Sequence, residues 1–292
     1  MGLRATLHRA VHSRTVLVLG VLVTLAVPVF TLPSLPQVAM WPVVLGLVPW
    51  IVGKYVLCPL RWRALTEGDL GRWWHMRAYA ESELLGLLTP GHVGADLWRL
   101  RRLTRTGLDR SAALVSVGMD RVVGAIGLAV FVGFAGAALP VHLLLPALGI
   151  LVIGGAALLV VRKVRPQWLP ERPHLPAPRQ LALGLLLSAG YQLSIAALLL
   201  GTIAATGHGL HPLSVLGAFG ASQLAGAVPG PNGASPRDAA LVVALAALGI
   251  PLVAAVAAVA LKAAIAWLPA LTLGGASLFM TRRSHKAGLV PA

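Results

Sequence analysis

Seven charged side chains stand where an apolar chain should have none. Asp120 and Arg121 fall within the run from Ser111 to Leu139, and Lys262 within the run from Ile250 to Met280. Arg237 and Asp238 open one apolar run, while Asp96 and Arg99 follow another. An ionised group near the middle of a bilayer costs at least about 2.5–3.5 kcal/mol, so each needs a function or a partner. Arginine offers a planar fork of donors and lysine a point charge, and both suit a phosphate. One chemistry is therefore reception of an anionic group, with Arg121, Arg237 and Lys262 as the receiving cations. The other is mutual neutralisation, Asp238 with Arg237 or Lys262 and Asp120 with Arg99, which would only fix helix packing. Both are open at the level of the sequence.

Two Gly/Pro segments lie beside these charges. Pro90-Gly91-His92-Val93-Gly94-Ala95 and Pro229-Gly230-Pro231-Asn232-Gly233-Ala234 share Pro-Gly-x-x-Gly-Ala with the same spacing. The runs flanking the second, Leu213–Val228 and Ala239–Leu248, are each shorter than the roughly 20 residues of a span. Half-spans joined by a broken polar segment predict a hairpin that enters the membrane and returns. Broken backbone survives at that depth only against protein or water, because lipid cannot satisfy its N–H and C=O groups. Pro90, Gly91, Gly94, Pro229, Gly230 and Gly233 are then expected to shape gates. Helix N-termini after Gly94 and Gly233 would add N–H donors and positive dipole ends. Paired interrupted segments point to a transporter binding site. Glu81 and Glu83, on the approach to the first loop, read as structural or interfacial, and His92 as a satisfied hydrogen-bonder.

The elements that must position these residues follow from composition. The chain is 57% hydrophobic and 11% charged, where a soluble domain is roughly a quarter charged. That predicts an all-α integral membrane protein, a polytopic helical bundle of about six spans plus two oppositely facing re-entrant hairpins. The alternation of a membrane barrel is absent. Spans are expected from Val16 to about Thr31, then over Met40–Leu60, Ser111–Leu139, Leu143–Val161, Leu181–Ala205 and Ile250–Met280. Arg61-Trp62-Arg63 reads as an interfacial anchor, and Thr66–Tyr79, with Trp73 and Trp74, as an amphipathic stretch along the inner surface. Residues 1–292 form a single membrane domain, with halves at about 40–139 and 181–280 and an inner linker over 162–180.

Charge placement orients the chain. All 24 Lys and Arg except Lys54, Arg121, Arg237 and Lys262 fall in segments assigned to one side, and the turns of the other side hold none. The positive-inside rule makes the basic side cytoplasmic, with both termini there. The hairpins then open oppositely, and the two halves relate by inversion, a recurring transporter plan. The net charge of +15 is explained by membrane flanks and anionic lipid rather than by nucleic acid, since no basic patch interleaved with aromatics occurs. Cys58, the sole cysteine, excludes an internal disulfide and reads as a packing residue. No catalytic motif stands out, and the scattered histidines lack metal-ligand spacing. No enzyme activity, metal or cofactor is expected.

At these loops the sequence resembles the lysylphosphatidylglycerol synthase transmembrane, or flippase-like, family, which includes the membrane half of the multiple peptide resistance factor. The likeness runs over roughly residues 40–280. One signature is seen as Pro90-Gly91-His92-Val93-Gly94 followed by Asp96 and Arg99, with Arg121 in the next span. The other is seen as Pro229-Gly230-Pro231-Asn232-Gly233 followed by Arg237-Asp238-Ala239. Ser235-Pro236 look inserted, Asp238 replaces a Glu, and Lys262 stands where an Arg is expected nearby. The resemblance implies a protein of a bacterial inner membrane that moves an anionic phospholipid, or a polyprenyl-phosphate-linked lipid, between leaflets. Aminoacyl transfer is not implied, because in the two-part synthases it resides in a separate soluble domain. The alternative is a non-transporting subunit that scaffolds or presents lipid to a separate glycosyl- or aminoacyltransferase.

Overall fold

The computed structural model describes residues 38–87, 89, 93–135, 176–225 and 235–286, with positions 29, 30, 33 and 163. The expected spans Val16–Thr31 and Leu143–Val161, and most of the linker, lie outside the described residues. The helices are α1 (Trp41–Val52), α2 (Cys58–Ala64), α3 (Arg72–Leu87), α4 (Val93–Thr104), α5 (Arg110–Ala135), α6 (Pro178–Ala205), α7 (Pro212–Leu224), α8 (Pro236–Ala247), α9 (Leu252–Pro269) and α10 (Gly275–Lys286). Wider π-helical turns at Gly53–Leu57 and Ala270–Gly274 join α1 to α2 and α9 to α10. Four continuous stretches are long and apolar enough to cross a membrane: Trp41–Ala64, Arg110–Phe131, Pro178–Ala205 and Leu252–Thr281. They coincide with four of the expected spans, so the chain is an α-helical, multi-pass membrane protein.

Local chemistry explains where the helices start and loosen. Proline occupies the first turn of α1, α6, α7 and α8, where a missing N–H costs nothing. Asp109 accepts from the Ser111 amide at 2.9 Å ahead of α5, and those hydrogen bonds hold its carboxyl below the usual range. The first π turn lies between Pro49 and Pro59, neither of which can donate to the helix ladder, and the second follows Pro269 directly.

The core is built by close approach of α1 and α6. A Cβ on Gly46 would stand 2.5 Å from the Ala197 carbonyl oxygen, so only glycine lets these backbones touch. Around them Val43, Trp50, Leu198, Leu199, Ile203, Val215, Leu245 and Ala255 form the main buried cluster. A smaller cluster holds Cys58, Trp62, Tyr79, Leu103 and Val117, and Cys58 packs there as expected. Two helical hairpins complete the bundle. Helix α3 packs on α4, and α7 on α8. Each arm has 12 to 16 residues, or at most about 24 Å of helix, short of the hydrocarbon thickness.

Two expectations about the first hairpin are corrected. Arg61 and Trp62 are not an interfacial anchor: they are 6% and 0% exposed. Trp62 donates to Ser116 at 3.0 Å, and Arg61 turns inward to a carboxylate. Nor is there a separate surface helix before the hairpin, because α3 runs unbroken from Arg72 to Leu87. Nothing between Gly71 and Gly86 can break it, and its amphipathic start is its exposed end, where Trp73 faces outward while Trp74 packs on Trp62.

Replacing Gly46 by leucine should force α1 and α6 apart, costing about 1–3 kcal/mol, and a thermal melt of the detergent-solubilised protein should show it as a fall in Tm. His75 generates a second test. It is wedged against Trp62 and Trp74, with both ring distances 5.0 Å. Burial pushes its pKa down to about 4, below the ordinary value near 6.5. Between those values the unfolded chain binds more protons, so His75 should cost stability as pH falls through that window. Tm measured from pH 7 to pH 5 should decline, and His75→Phe should flatten the decline.

Candidate functional site

The bundle holds a partly open cavity of about 520 Å³. Lys54, Arg61, Arg121, Arg237 and Lys262 face it against the carboxylates of Glu83 and Asp120. The remaining wall is apolar or amphipathic, including Trp50, Leu128, Tyr191, Ile195, Leu198 and Phe219.

One side of this wall is a chain of buried ions. The first π turn carries Lys54, whose Nζ lies 2.8 Å from Glu83 Oε2 on α3. Glu83 Oε1 accepts from Arg99 Nη2 of α4 at 3.2 Å. Arg99 Nη1 donates to Asp120 Oδ2 of α5 at 3.0 Å, and Arg99 Nε to Ser82 Oγ at 3.1 Å. Asp120 Oδ1 accepts from Arg61 Nε of α2 at 2.7 Å, and Arg61 Nη1 donates to Ser188 Oγ of α6 at 3.3 Å. Aromatic faces support the cations: Arg99 lies 4.1 Å from the Tyr79 ring centre, and Lys54 lies 5.6 Å from that of Tyr191. Buried charge held by opposite charge and further hydrogen bonds satisfies the low-dielectric interior.

The second hairpin supplies the other side. Lys262 Nζ of α9 stands 3.5 Å from Asp238 Oδ1 on α8. Asp238 also closes the start of its helix: its Oδ2 accepts from Ser235 Oγ at 2.6 Å, and its amide donates to Ser235 Oγ at 3.2 Å. Ser235 and Pro236 are therefore the N-cap and first residue of α8. Arg237 donates to Gln223 Oε1 of α7 at 3.4 Å. Among the described residues it has no carboxylate within 4.0 Å.

Six of the seven expected site residues thus fall into three pairs, each with one member at the cavity (Asp120, Arg121 and Lys262), and Arg237 lines the same cavity outside any such pair among the described residues. Asp120 with Arg99, and Asp238 with Lys262, take the neutralising pairings open in the sequence. Arg121 pairs with Asp96 instead, Nη2 to Oδ1 at 2.8 Å, with its side chain half exposed at 50%. Gly94 begins α4 rather than a loop beyond it, and its amide donates to Thr89 Oγ1 at 2.9 Å. One N-terminal donor of each helix expected after Gly94 and Gly233 is taken by a side chain, the Gly94 amide by Thr89 and the Asp238 amide by Ser235. Pro90, Gly91, His92, Pro229, Gly230 and Gly233 lie outside the described residues.

Lys54, Arg61, Tyr191, Gln192 and Gln223 enter the wall without having been singled out. Lys54 carried a usable signal, an ionisable residue inside an apolar run. Ser188 and Gln192 carried another, two polar residues one turn apart within a span. Arg61 gave none, because its neighbours read as a membrane flank. Glu81 is structural, as expected: fully buried, it accepts from Trp98 at 3.0 Å and from Ser277 and Thr281 at 2.8 and 3.0 Å. Arg102 Nε lies 3.3 Å from it, off the line of a hydrogen bond.

Four apolar spans around a cavity lined by more cations than carboxylates define a multi-pass helical membrane protein with a cation-rich interior. The chain belongs to the family described as the lysylphosphatidylglycerol synthase TM region, whose model matches residues 15–274. Comparison with curated proteins and with solved structures gives no match. The family carries a membrane role connected with lipid.

Removing one ion from the buried chain should be far more damaging than removing Arg237. Asp120→Ala leaves Arg61 and Arg99 without their shared carboxylate, and should cost about 3–5 kcal/mol, read as a large fall in Tm or loss of folded protein in detergent. Arg237→Gln should melt close to wild type. Equal melting of both variants would refute the network as the structural tie.

Proposed function

We propose that this chain translocates an anionic lipid between leaflets, acting as a lipid flippase or transporter rather than by covalent chemistry. The observation that supports this best is the two-faced cavity wall. A surplus of cations suits a phosphate-bearing headgroup, and the apolar remainder suits the first carbons of acyl chains. Either an anionic phospholipid or a polyprenyl-phosphate-linked lipid fits that description. Arg237, without a carboxylate partner among the described residues, is the cation best able to engage a phosphate. Lys262 and Arg121 assist from pairs that an anion can compete for.

In this reading the α3–α4 and α7–α8 hairpins are re-entrant and face opposite sides. With the expected spans outside the described residues they make about six spans in two inverted halves of one membrane domain. The short arms support this, as does the Gly/Pro-rich sequence beside each hairpin. The setting is a bacterial inner membrane with both termini cytoplasmic, on the distribution of Lys and Arg. A separate transferase would supply or consume the lipid.

Liposomes carrying the pure protein should scramble labelled phosphatidylglycerol between leaflets, and Arg237→Gln should slow this at least tenfold while remaining folded. A wild-type rate no faster than protein-free liposomes, with phosphatidylglycerol and with a polyprenyl phosphate alike, would refute the reading.

A further inference from the structure

Asp238 is the sole carboxylate side chain over residues 172–292, so in this part of the chain it alone can answer Lys262. Its two oxygens have different duties. Oδ2 accepts from Ser235 Oγ at 2.6 Å and from the Ser235 amide at 3.3 Å, which closes the start of α8. Oδ1 faces Lys262 Nζ at 3.5 Å. Asp238 is buried, while Lys262 and Arg237 line the cavity in front of it. The charged groups around it are few. Of the helices packed on α8, α7 carries no ionisable side chain and α9 carries Lys262 alone. On α8 itself the other charge is Arg237, which turns to Gln223 at 3.4 Å.

We infer that Asp238 Oδ1 is a proton-binding site and that the anion crosses the membrane together with a proton. This rests on the proposed function and names what drives it. An anion drawn into the cavity takes Lys262 as its counter-charge, which the long contact to Asp238 allows. A deeply buried carboxylate does not stay ionised once its counter-charge leaves, because the neutral acid costs far less there. The proton comes from cavity water, along the space that Lys262 vacates, and bonds to Oδ1. Oδ2 keeps both bonds from Ser235, so α8 stays capped while the charge changes. When the anion departs, Lys262 returns and the proton leaves to water. Lys262 thus serves either Asp238 or the anion, and binding of the anion and binding of the proton favour each other. With a singly charged anion the two together carry no net charge. A pH gradient then drives the movement and a membrane potential does not.

The test uses the full-length protein and phosphatidylglycerol, a phosphodiester that stays singly charged between pH 8 and pH 5. In detergent, wild-type affinity should rise as pH falls through that range, by up to about tenfold per pH unit, as uptake of one proton per anion requires. Asp238→Asn, which can still accept from Ser235 but cannot take the proton, should bind with an affinity that does not change with pH. Lys262→Gln, which leaves Asp238 without its counter-charge from the start, should be equally flat, so the test survives if one variant fails to fold. In liposomes, a pH gradient should concentrate the labelled lipid in one leaflet for wild type, and a potassium potential set with valinomycin should not. A wild-type affinity flat in pH, a steep profile that persists in either variant, or a response to the potential alone would overturn the proton site. Scrambling at the same rate with and without the gradient, toward equal leaflets, would overturn it too and leave the flippase reading standing. Neither binding nor movement, with phosphatidylglycerol and with a polyprenyl phosphate alike, would overturn both.

Discussion

The buried ion chain Lys54–Glu83–Arg99–Asp120–Arg61 is the constraint on which the rest of this bundle depends. Each carboxylate in it accepts from two cations, and each link joins a different helix. No single pair would offset the loss of hydration at such depth. A chain does better because every ion is held from two sides and the outer members find further partners, as Arg61 does in Ser188. The cost of this arrangement is specificity of placement. Glu83 must project from α3 at the height of the first π turn, and α4 must return beside α3 closely enough for Arg99 to reach three partners. The α3–α4 hairpin and the widened turn that presents Lys54 are both consequences.

Helix α3 is held on a second side by the last span. The Ala80 carbonyl oxygen lies where a Cβ on Gly274 would stand, at 2.5 Å, so the second π turn and its glycine admit the α3 backbone. Glu81 then ties to Ser277 and Thr281 of α10. Consecutive residues of α3 therefore serve opposite faces: Ala80 and Glu81 bind the last span, while Ser82 and Glu83 bind the ion chain. Both spans that flank this helix contain a π turn beside proline, and π turns are frequent where a helix must present a side chain out of its regular register. The interruptions permit close packing and place Lys54 at the cavity, so sequence features that weaken a helix in isolation are used here to shape a site.

Much of the plan was legible. Four spans follow directly from apolar runs of sufficient length, because lipid demands them. Asp120, Asp238 and Lys262 were found from their cost in an apolar setting. What escaped was the identity of partners. Lys54 to Glu83 and Arg61 to Asp120 join residues far apart in the chain, and nothing local encodes such contacts. Arg61 and Trp62 were concealed by a rule that normally succeeds, since basic and aromatic residues at the end of a span usually face the interface. The start of α8, by contrast, is encoded locally. Ser235-Pro236-Arg237-Asp238 is a helix start written in full, with a capping serine, a first-turn proline and an acidic residue three positions on.

The two sides of the cavity differ in how much of their charge is committed. On the first hairpin's side, Arg99 and Asp120 are almost fully buried and held by each other and by Ser82, Glu83 and Arg61. On the second hairpin's side, the Lys262–Asp238 contact is long at 3.5 Å, and Arg237 rests on an uncharged amide. An anion entering the cavity gains most from the cations with the least to lose. It would therefore settle toward α7, α8 and α9, leaving the ion chain as the fixed wall. That asymmetry separates the residues whose loss should unfold the protein from those whose loss should only empty it. It also explains why an arginine outside any carboxylate pair among the described residues, rather than the most deeply buried one, is the side chain on which the proposed function leans.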